Sequence, residues 1–222
     1  MGASYHTNCI DSISNYTSKD QGQTGTCFAY AIAGIIVLAS KRVHGRKELD
    51  FNKLKDEIID LYEEKGGGGN VRKILLDSSL LKRYRLRSNS INKSEACNIL
   101  DKPNPRPIIA TFYLNASEWN GLCNFFNKNP NGILKEEDLE KYYNPNQESS
   151  GGAHAVIIMS SNFDGKLRYF NIANSWGEDW ADKGFFKVYS NSISFNYYDV
   201  FWYESDLTDE ERAQYKRDYP ED

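Results

Sequence analysis

Residues 27 to 43, CFAYAIAGIIVLASKRV, read as a helix that is apolar on nearly every side. A helix without a polar face must be enclosed by the rest of the chain, so the fold has to be built around it. Ala29, Ala31, Ala33 and Gly34 are small and let neighbouring elements approach closely. The apolar run AYAIAGIIVLA is too short to span a bilayer. At 222 residues the chain is long enough to bury a real core, as one domain of two lobes or as two small domains.

The patterning changes partway along the chain. LDFNKLKDEIIDLYEE has helical periodicity, with Leu54, Ile58, Leu61 and Tyr62 on one face. A GGGG break follows, and VRKILLDSSLL then reads as a further amphipathic helix. KPNPRP is a strong breaker and marks a lobe boundary. Beyond it, PIIATFYL, AVIIMSS, LRYFNIAN, GFFKVYS and DVFWYES read as strands, with a tight hairpin turn at Asp164-Gly165. Helices first and strands after imply an α+β fold. The segments are 8–106 (helical), 107–205 (β) and a charged C-terminal tail over 206–222, a short exposed helix or frayed end despite its Thr208–Glu211 capping box.

Charge and cysteine usage narrow the chemistry. The net charge is −4 and no basic block or basic-aromatic stripe occurs, which excludes a nucleic-acid reading. Cys9, Cys27, Cys97 and Cys123 include no C-x-x-C pair, so no metal site is expected. No cofactor is implied. The start, MGASYHTNCIDS, is too polar for a signal peptide, and His6 stands where a myristoylation pattern needs Ser or Thr. Asn15, Asn92 and Asn115 head Asn-x-Ser/Thr triplets, which in an Asn-rich chain arise by chance.

Cys27 opens the buried helix after Gly25 and Thr26. A cysteine there is either a small core residue or a nucleophile. Unpaired N–H groups and the dipole at a helix start favour a thiolate. A nucleophile also needs a base. His6 and His44 lie in polar or charged stretches, whereas His154 stands at the loop-to-strand junction before AVIIM. A hairpin from that strand brings Asn174 beside His154, where an amide oxygen on one ring nitrogen leaves the other for a thiol. Trp176 covers that hydrogen bond from water.

Gln21-Gly22, Gly25-x-Cys27-Phe28-Ala29, His154-Ala155-Val156 and Asn174-Ser175-Trp176-Gly177-x-x-Trp180 together resemble the papain/cathepsin family of cysteine peptidases. His154 and Asn174 follow Cys27 at about the family's separation of roughly 130 to 150 residues. The resemblance implies a two-lobe papain-like fold: a helical lobe around a central buried helix, an antiparallel β-barrel-like lobe, and an active site in the cleft between them. It implies Cys27 as nucleophile, His154 as general base and acid, Asn174 as its orienter, and Gln21 with the Cys27 backbone N–H as oxyanion donors. By the same resemblance Gly68 and Gly69 line the substrate cleft, with Asn70, Val71 and Ala153 around a specificity pocket.

The sequence also departs from the family. Thr24 replaces a cysteine three residues before the nucleophile, the glycine loop lacks the partner cysteine, and Phe28 replaces the usual Trp. Missing disulfides favour a reducing, cytoplasmic compartment. A chain trimmed from a longer precursor would instead fit a secreted or lysosomal setting. The expected activity is thiol-dependent hydrolysis of peptide bonds in a polypeptide, without membrane or nucleic-acid partners. Two alternatives stand beside it: an isopeptidase acting on ubiquitin or a ubiquitin-like protein, and a papain-fold binding domain without turnover.

Overall fold

The computed structural model describes residues 15–218 apart from positions 44, 66, 78, 103 and 104. His6, Cys9 and His44 therefore lie outside the described residues. Helix α1 (Cys27–Lys41) is the enclosed element that its composition requires, with Phe28, Ile32, Ile35, Ile36 and Leu38 at most 2% exposed. Its small residues do allow close approach. A Cβ on Gly34 would lie 2.6 Å from the Ile157 side chain and 3.0 Å from the Tyr16 hydroxyl.

Helix α2 (Phe51–Tyr62) starts at Asp50, whose carboxylate accepts from the Lys53 N–H. Leu54 and Ile58 turn inward as the periodicity predicts, but Leu61 is 57% exposed. In place of one helix over VRKILLDSSLL there are two, α3 (Val71–Leu76) and α4 (Ser79–Arg83), because Asp77 takes an extended conformation. Their apolar side chains still reach one core: Val71, Ile74, Leu75, Leu80 and Leu81 are all buried.

The sheet has seven strands: β1 (Arg87–Ile91), β2 (Ile108–Leu114), β3 (Ile133–Leu134), β4 (Gly152–Asp164), β5 (Leu167–Ala173), β6 (Phe185–Tyr189) and β7 (Phe195–Phe201). They lie in the order β1-β7-β2-β4-β5-β6-β3. Every described pairing is antiparallel except β3 with β6. This corrects the barrel-like expectation: the sheet is mixed and open, since β1 and β3 end it and do not pair with each other. The two-residue β3 is too short to carry closure.

Helices α5 (Lys93–Leu100), α6 (Ala116–Lys128) and α7 (Glu136–Lys141) stand among the strands; the sequence reading named none of them individually, and α6 and α7 lie in the segment it read as β. A usable signal was present. Asn92 with Glu95, and Asn115 with Glu118, form reciprocal capping boxes at the starts of α5 and α6. β1 was also missed, because RSNSI carries no apolar alternation.

The sheet separates two cores, and β4 serves both through its two-residue period. Ala155, Ile157 and Met159 face the core built on α1, while Val156 and Ile158 face the core that holds Leu122, Phe125 and Phe126 of α6. The hairpin from β4 to β5 turns where expected, with Asp164 opposite Leu167 and Gly165 at φ +59°.

The C-terminal segment corrects another expectation. It forms a docked helix, α8 (Asp209–Asp218), because Leu207, Glu211 and Tyr215 recur on one side and are buried. Glu211 accepts from Arg46 Nε at 2.9 Å and also pairs with Arg85, so the helix is tied to the α1 side of the molecule. No helix among the described residues is long and apolar enough to cross a membrane.

Candidate active site

His154 is the third residue of β4 and lies opposite Phe112 in β2. The ladder between β4 and β5 reaches Ile157–Ala173, and the next residue of the returning strand is Asn174. The two side chains meet with His154 Nε2 2.7 Å from Asn174 Oδ1, at 6% and 4% exposure. The amide oxygen accepts, which places the proton on Nε2 and leaves Nδ1 as the basic nitrogen.

Asn174 is itself clamped. Its N–H donates to the Gly184 carbonyl at 3.0 Å, and its carbonyl accepts from Ser18 Oγ at 2.9 Å. Gly184 has φ +80°, and a Cβ there would lie 2.1 Å from Ser18 Oγ, so only glycine closes this clamp. The same N-terminal segment runs on beside the Asn-Ser-Trp-Gly motif. Gln21 N–H donates to the Ser175 carbonyl at 2.8 Å, Gly177 N–H donates to the Lys19 carbonyl at 2.9 Å, and Asp20 bridges Trp176. Tyr30 of α1 donates its hydroxyl to the Asp20 carbonyl at 2.8 Å. These bonds register the start of α1 against the end of β5, and thus Cys27 against the His–Asn pair. The sequence reading assigned no role to Ser18 or Tyr30.

Cys27 is the first residue of α1, which has no acidic residue in its first turn. Burial pushes its thiol above the ordinary value, while backbone hydrogen bonds from Ala155, Phe28 and Cys27 itself act downwards. Its Ala155 contact sits one residue beyond His154. Burial likewise pulls His154 down to about 4, against the hydrogen bond with Asn174. The surroundings therefore favour the neutral form of each group. A thiolate at Cys27 would need a recipient for its proton, and the residue before Ala155 on β4 is His154.

Gln21 is held at both ends of its amide. Nε2 donates to the Thr24 carbonyl at 2.6 Å and Oε1 accepts from Ser175 Oγ at 2.6 Å. A primary amide has two N–H donors, so one remains beyond that bond. The glycine run lies directly against the start of α1. A Cβ on Gly25 would come 3.0 Å from the Gly68 nitrogen, and one on Gly69 would come 2.7 Å from the Phe28 ring. Gly67 and Gly68 adopt φ +85° and +88°. Asn70 caps α3 by accepting from the Lys73 N–H at 3.0 Å. Val71 is only 5% exposed and packs in the α1 core, so it presents no open surface. Ala153 is exposed and lies opposite Tyr113, itself 66% exposed.

Trp176 lies over the imidazole, with centroids 5.1 Å apart and an interplanar angle of 36°. Trp180 meets Trp176 edge-on at 4.8 Å. Among the described residues no group of three or more His, Cys, Asp or Glu side chains could hold a metal ion.

A helical core and an open mixed sheet, joined at a cysteine-bearing helix start and a His–Asn pair, define a papain-fold chain. Solved structures share this fold. The bromelain protease from Ananas comosus, in complex with the E64 inhibitor, superposes with a TM-score of 0.51 at 16% identity, covering 88% of this chain and 97% of that one. The structure titled for antibody cross reactivity between the mite allergens Blo t 1 and Der p 1 gives 0.52 at 18% identity, covering 90% and 71%.

In sequence the chain is similar to the papain family of cysteine proteases, whose family model matches residues 126–201. That stretch contains His154, Asn174 and Trp176 but not Cys27. Cysteine proteinase 3 of Dictyostelium discoideum is 22% identical over 195 residues, covering 78% of this chain and 55% of that protein. The viral cathepsin of Adoxophyes honmai nucleopolyhedrovirus is 39% identical over 44 residues, covering 20% and 13%. The chain thus spans about half the length of the Dictyostelium relative.

Proposed function

We propose that this chain is a papain-like cysteine protease, which hydrolyses peptide bonds of polypeptides through an acyl-enzyme. The observations that carry the reading are the buried His154–Asn174 hydrogen bond and a cysteine at a helix N-terminus that meets the backbone of Ala155, the residue after His154.

His154 Nδ1 takes the Cys27 proton as Sγ adds to the substrate carbonyl. The oxyanion is met by the Cys27 backbone N–H and an N–H of Gln21, held in place by Ser175. The imidazolium then gives its proton to the departing amine. Water, deprotonated by the same nitrogen, attacks the thioester, and acid is released with Sγ restored. Asn174 keeps the ring turned so that Nδ1 serves each transfer, and Trp176 keeps water off the Nε2 bond. Gly68 and Gly69 leave room for an extended substrate backbone beside Cys27. Asn70 and Ala153 flank it, and Val71 supports the pocket from within the core. Free thiols at Cys27, Cys97 and Cys123, with Thr24 in place of a cysteine, suit a reducing compartment.

The test uses two electrophilic probes, a dipeptidyl epoxide and a ubiquitin-type protein with a C-terminal electrophile. Labelling of Cys27 by the epoxide alone, abolished in Cys27→Ala, is expected. Labelling by the ubiquitin-type probe would move the substrate to an isopeptide linkage. Labelling by neither would overturn the hydrolase reading.

A further inference from the structure

The imidazole of His154 has a second indole against it, from an element outside the Cys-His-Asn motifs. Trp119 lies in the second turn of α6, and its ring meets the His154 ring edge-on with centroids 5.8 Å apart and an interplanar angle of 80°. Phe112 of β2 meets the imidazole from another side at 5.7 Å and 84°. With Trp176, these rings leave Asn174 as the polar side chain bonded to the imidazole. Trp119 and Trp176 also touch, at 5.7 Å, so the box is continuous.

Trp119 has a polar function as well. Its Nε1–H donates to the Gly152 carbonyl at 3.1 Å. Gly152 begins β4, two residues before His154. A single side chain thus covers the imidazole and fastens the strand end that carries it. Its own position is firmly set. The Asn115–Glu118 capping box fixes the start of α6. Two residues after Trp119, Gly121 lies so close to α7 that a Cβ would fall 1.8 Å from the Leu139 carbonyl oxygen. This close approach seats α6 directly against α7.

We propose that Trp119 is a positioning residue for His154: it fixes the ring orientation from α6 and keeps water from the face that Trp176 leaves open. The claim rests on the hydrolase reading for its consequence in turnover, but the environment of the ring can be measured without turnover. The groups facing the imidazole are Phe112 of β2, Trp119 of α6, and Asn174 and Trp176 just beyond β5, none of which titrates near neutrality. On the hydrolase reading the titratable partner of the ring is Cys27 on α1, so a Cys27→Ser background isolates the histidine.

The experiment follows the His154 imidazole resonances against pH by NMR, in the full chain carrying Cys27→Ser, with assignment by their loss in His154→Gln. Trp119→Ala is expected to raise the midpoint by about one pH unit as water reaches the ring. Trp119→Phe keeps the cover and loses only the donor, so its midpoint is expected within about 0.3 units of the parent. In the Cys27 background, Trp119→Phe is expected to slow epoxide labelling about tenfold, because the strand end is released. A merely structural role would lower the melting temperature and leave the midpoint unmoved. An unmoved midpoint in Trp119→Ala overturns the proposal. Should Trp119→Ala fail to fold, Trp119→Phe with labelling at the parent rate overturns it instead. Loss of epoxide labelling in the parent chain would strike the hydrolase reading and leave the titration result standing.

Discussion

Replacing Gly69 by alanine tests whether the glycine run is built against the start of α1. The added Cβ would lie 2.7 Å from two carbons of the Phe28 ring and 2.9 Å from a third. Optimal separation between carbons is about 3.5–4.0 Å, so roughly 1 Å of movement is required. The ring is 1% exposed and cannot swing aside into solvent. Overpacking of this kind costs about 1–3 kcal/mol. For a chain of this size each kcal/mol moves the melting temperature by roughly 2–4 °C, so a fall of about 2–12 °C is expected. Phe28 directly follows Cys27, and misplacing a nucleophile by about 1 Å can cost up to a hundredfold in rate. Epoxide labelling should therefore fall by more than the fraction unfolded explains. Thermal unfolding and timed labelling of the same samples measure both effects. Adding Phe28→Leu to Gly69→Ala should recover about 1 kcal/mol relative to additivity, the sign of a contact pair. If Gly69→Ala melted within about 1 °C of the parent and labelled at its rate, the claimed packing of this loop on the start of α1 would be wrong.

Other consequences are open to direct measurement. Cys27→Ala should abolish peptide cleavage, whereas Asn174→Ala should lower kcat/KM by about ten- to a hundredfold, the equivalent of a buried hydrogen bond worth roughly 1.5–3 kcal/mol. Equal activity of Asn174→Ala and the parent would remove Asn174 from the mechanism. Brief iodoacetamide treatment near pH 6 followed by peptide mapping should modify Cys27 before Cys97 and Cys123, since the hydrolase reading gives Cys27 alone among these three a base to take its proton. Uniform labelling would contradict that. Glu211→Gln should destabilise the chain by about 3 kcal/mol, because it strips the carboxylate from Arg46, which is 8% exposed. Burial would raise the Glu211 carboxyl, but the Arg46 hydrogen bond, the Thr208 N–H and the charges of Arg46 and Arg85 outweigh it and hold it below 4.5. A depressed acid stabilises the fold above its unfolded value and loses that contribution as pH falls through its folded value. The gap between parent and Glu211→Gln in denaturant titrations should therefore be constant above about pH 5 and narrow below it. A gap unchanged down to about pH 3 would refute the ion-pair account.

Much of the site was legible because its chemistry is local. A cysteine at a helix start, a histidine at a strand start and an asparagine at the end of the next strand are positions that the patterning of α1, β4 and β5 exposes. What holds those positions together was not legible. Ser18, Tyr30 and Trp119 act across gaps of sequence, through a carbonyl or a ring edge that no periodicity marks. Val71 illustrates the converse: proximity in sequence to a cleft loop does not keep a side chain out of the core. The strands β2, β4 and β5 were read because apolar residues dominate them. β1 was not, because its order comes from pairing with β7 and not from its own side chains. α8 was underestimated for a similar reason, since its buried side chains are few and the groups that hold them, Arg46, Arg85 and Trp202 among them, lie far away in sequence or on other elements.

The position of β1 has a consequence for how the chain is made. Arg87–Ile91 pairs in register with Phe201 back to Tyr197, more than a hundred residues later in synthesis. While the ribosome is still making the second half, this polar segment has no strand to join. The α1 core also lacks Tyr198, Val200, Trp202, Leu207 and Tyr215, its contributors from the C-terminal end. Folding must therefore wait for nearly the whole chain. A fragment ending near residue 106 would leave β1 without its β7 partner and the α1 core without its C-terminal contributors.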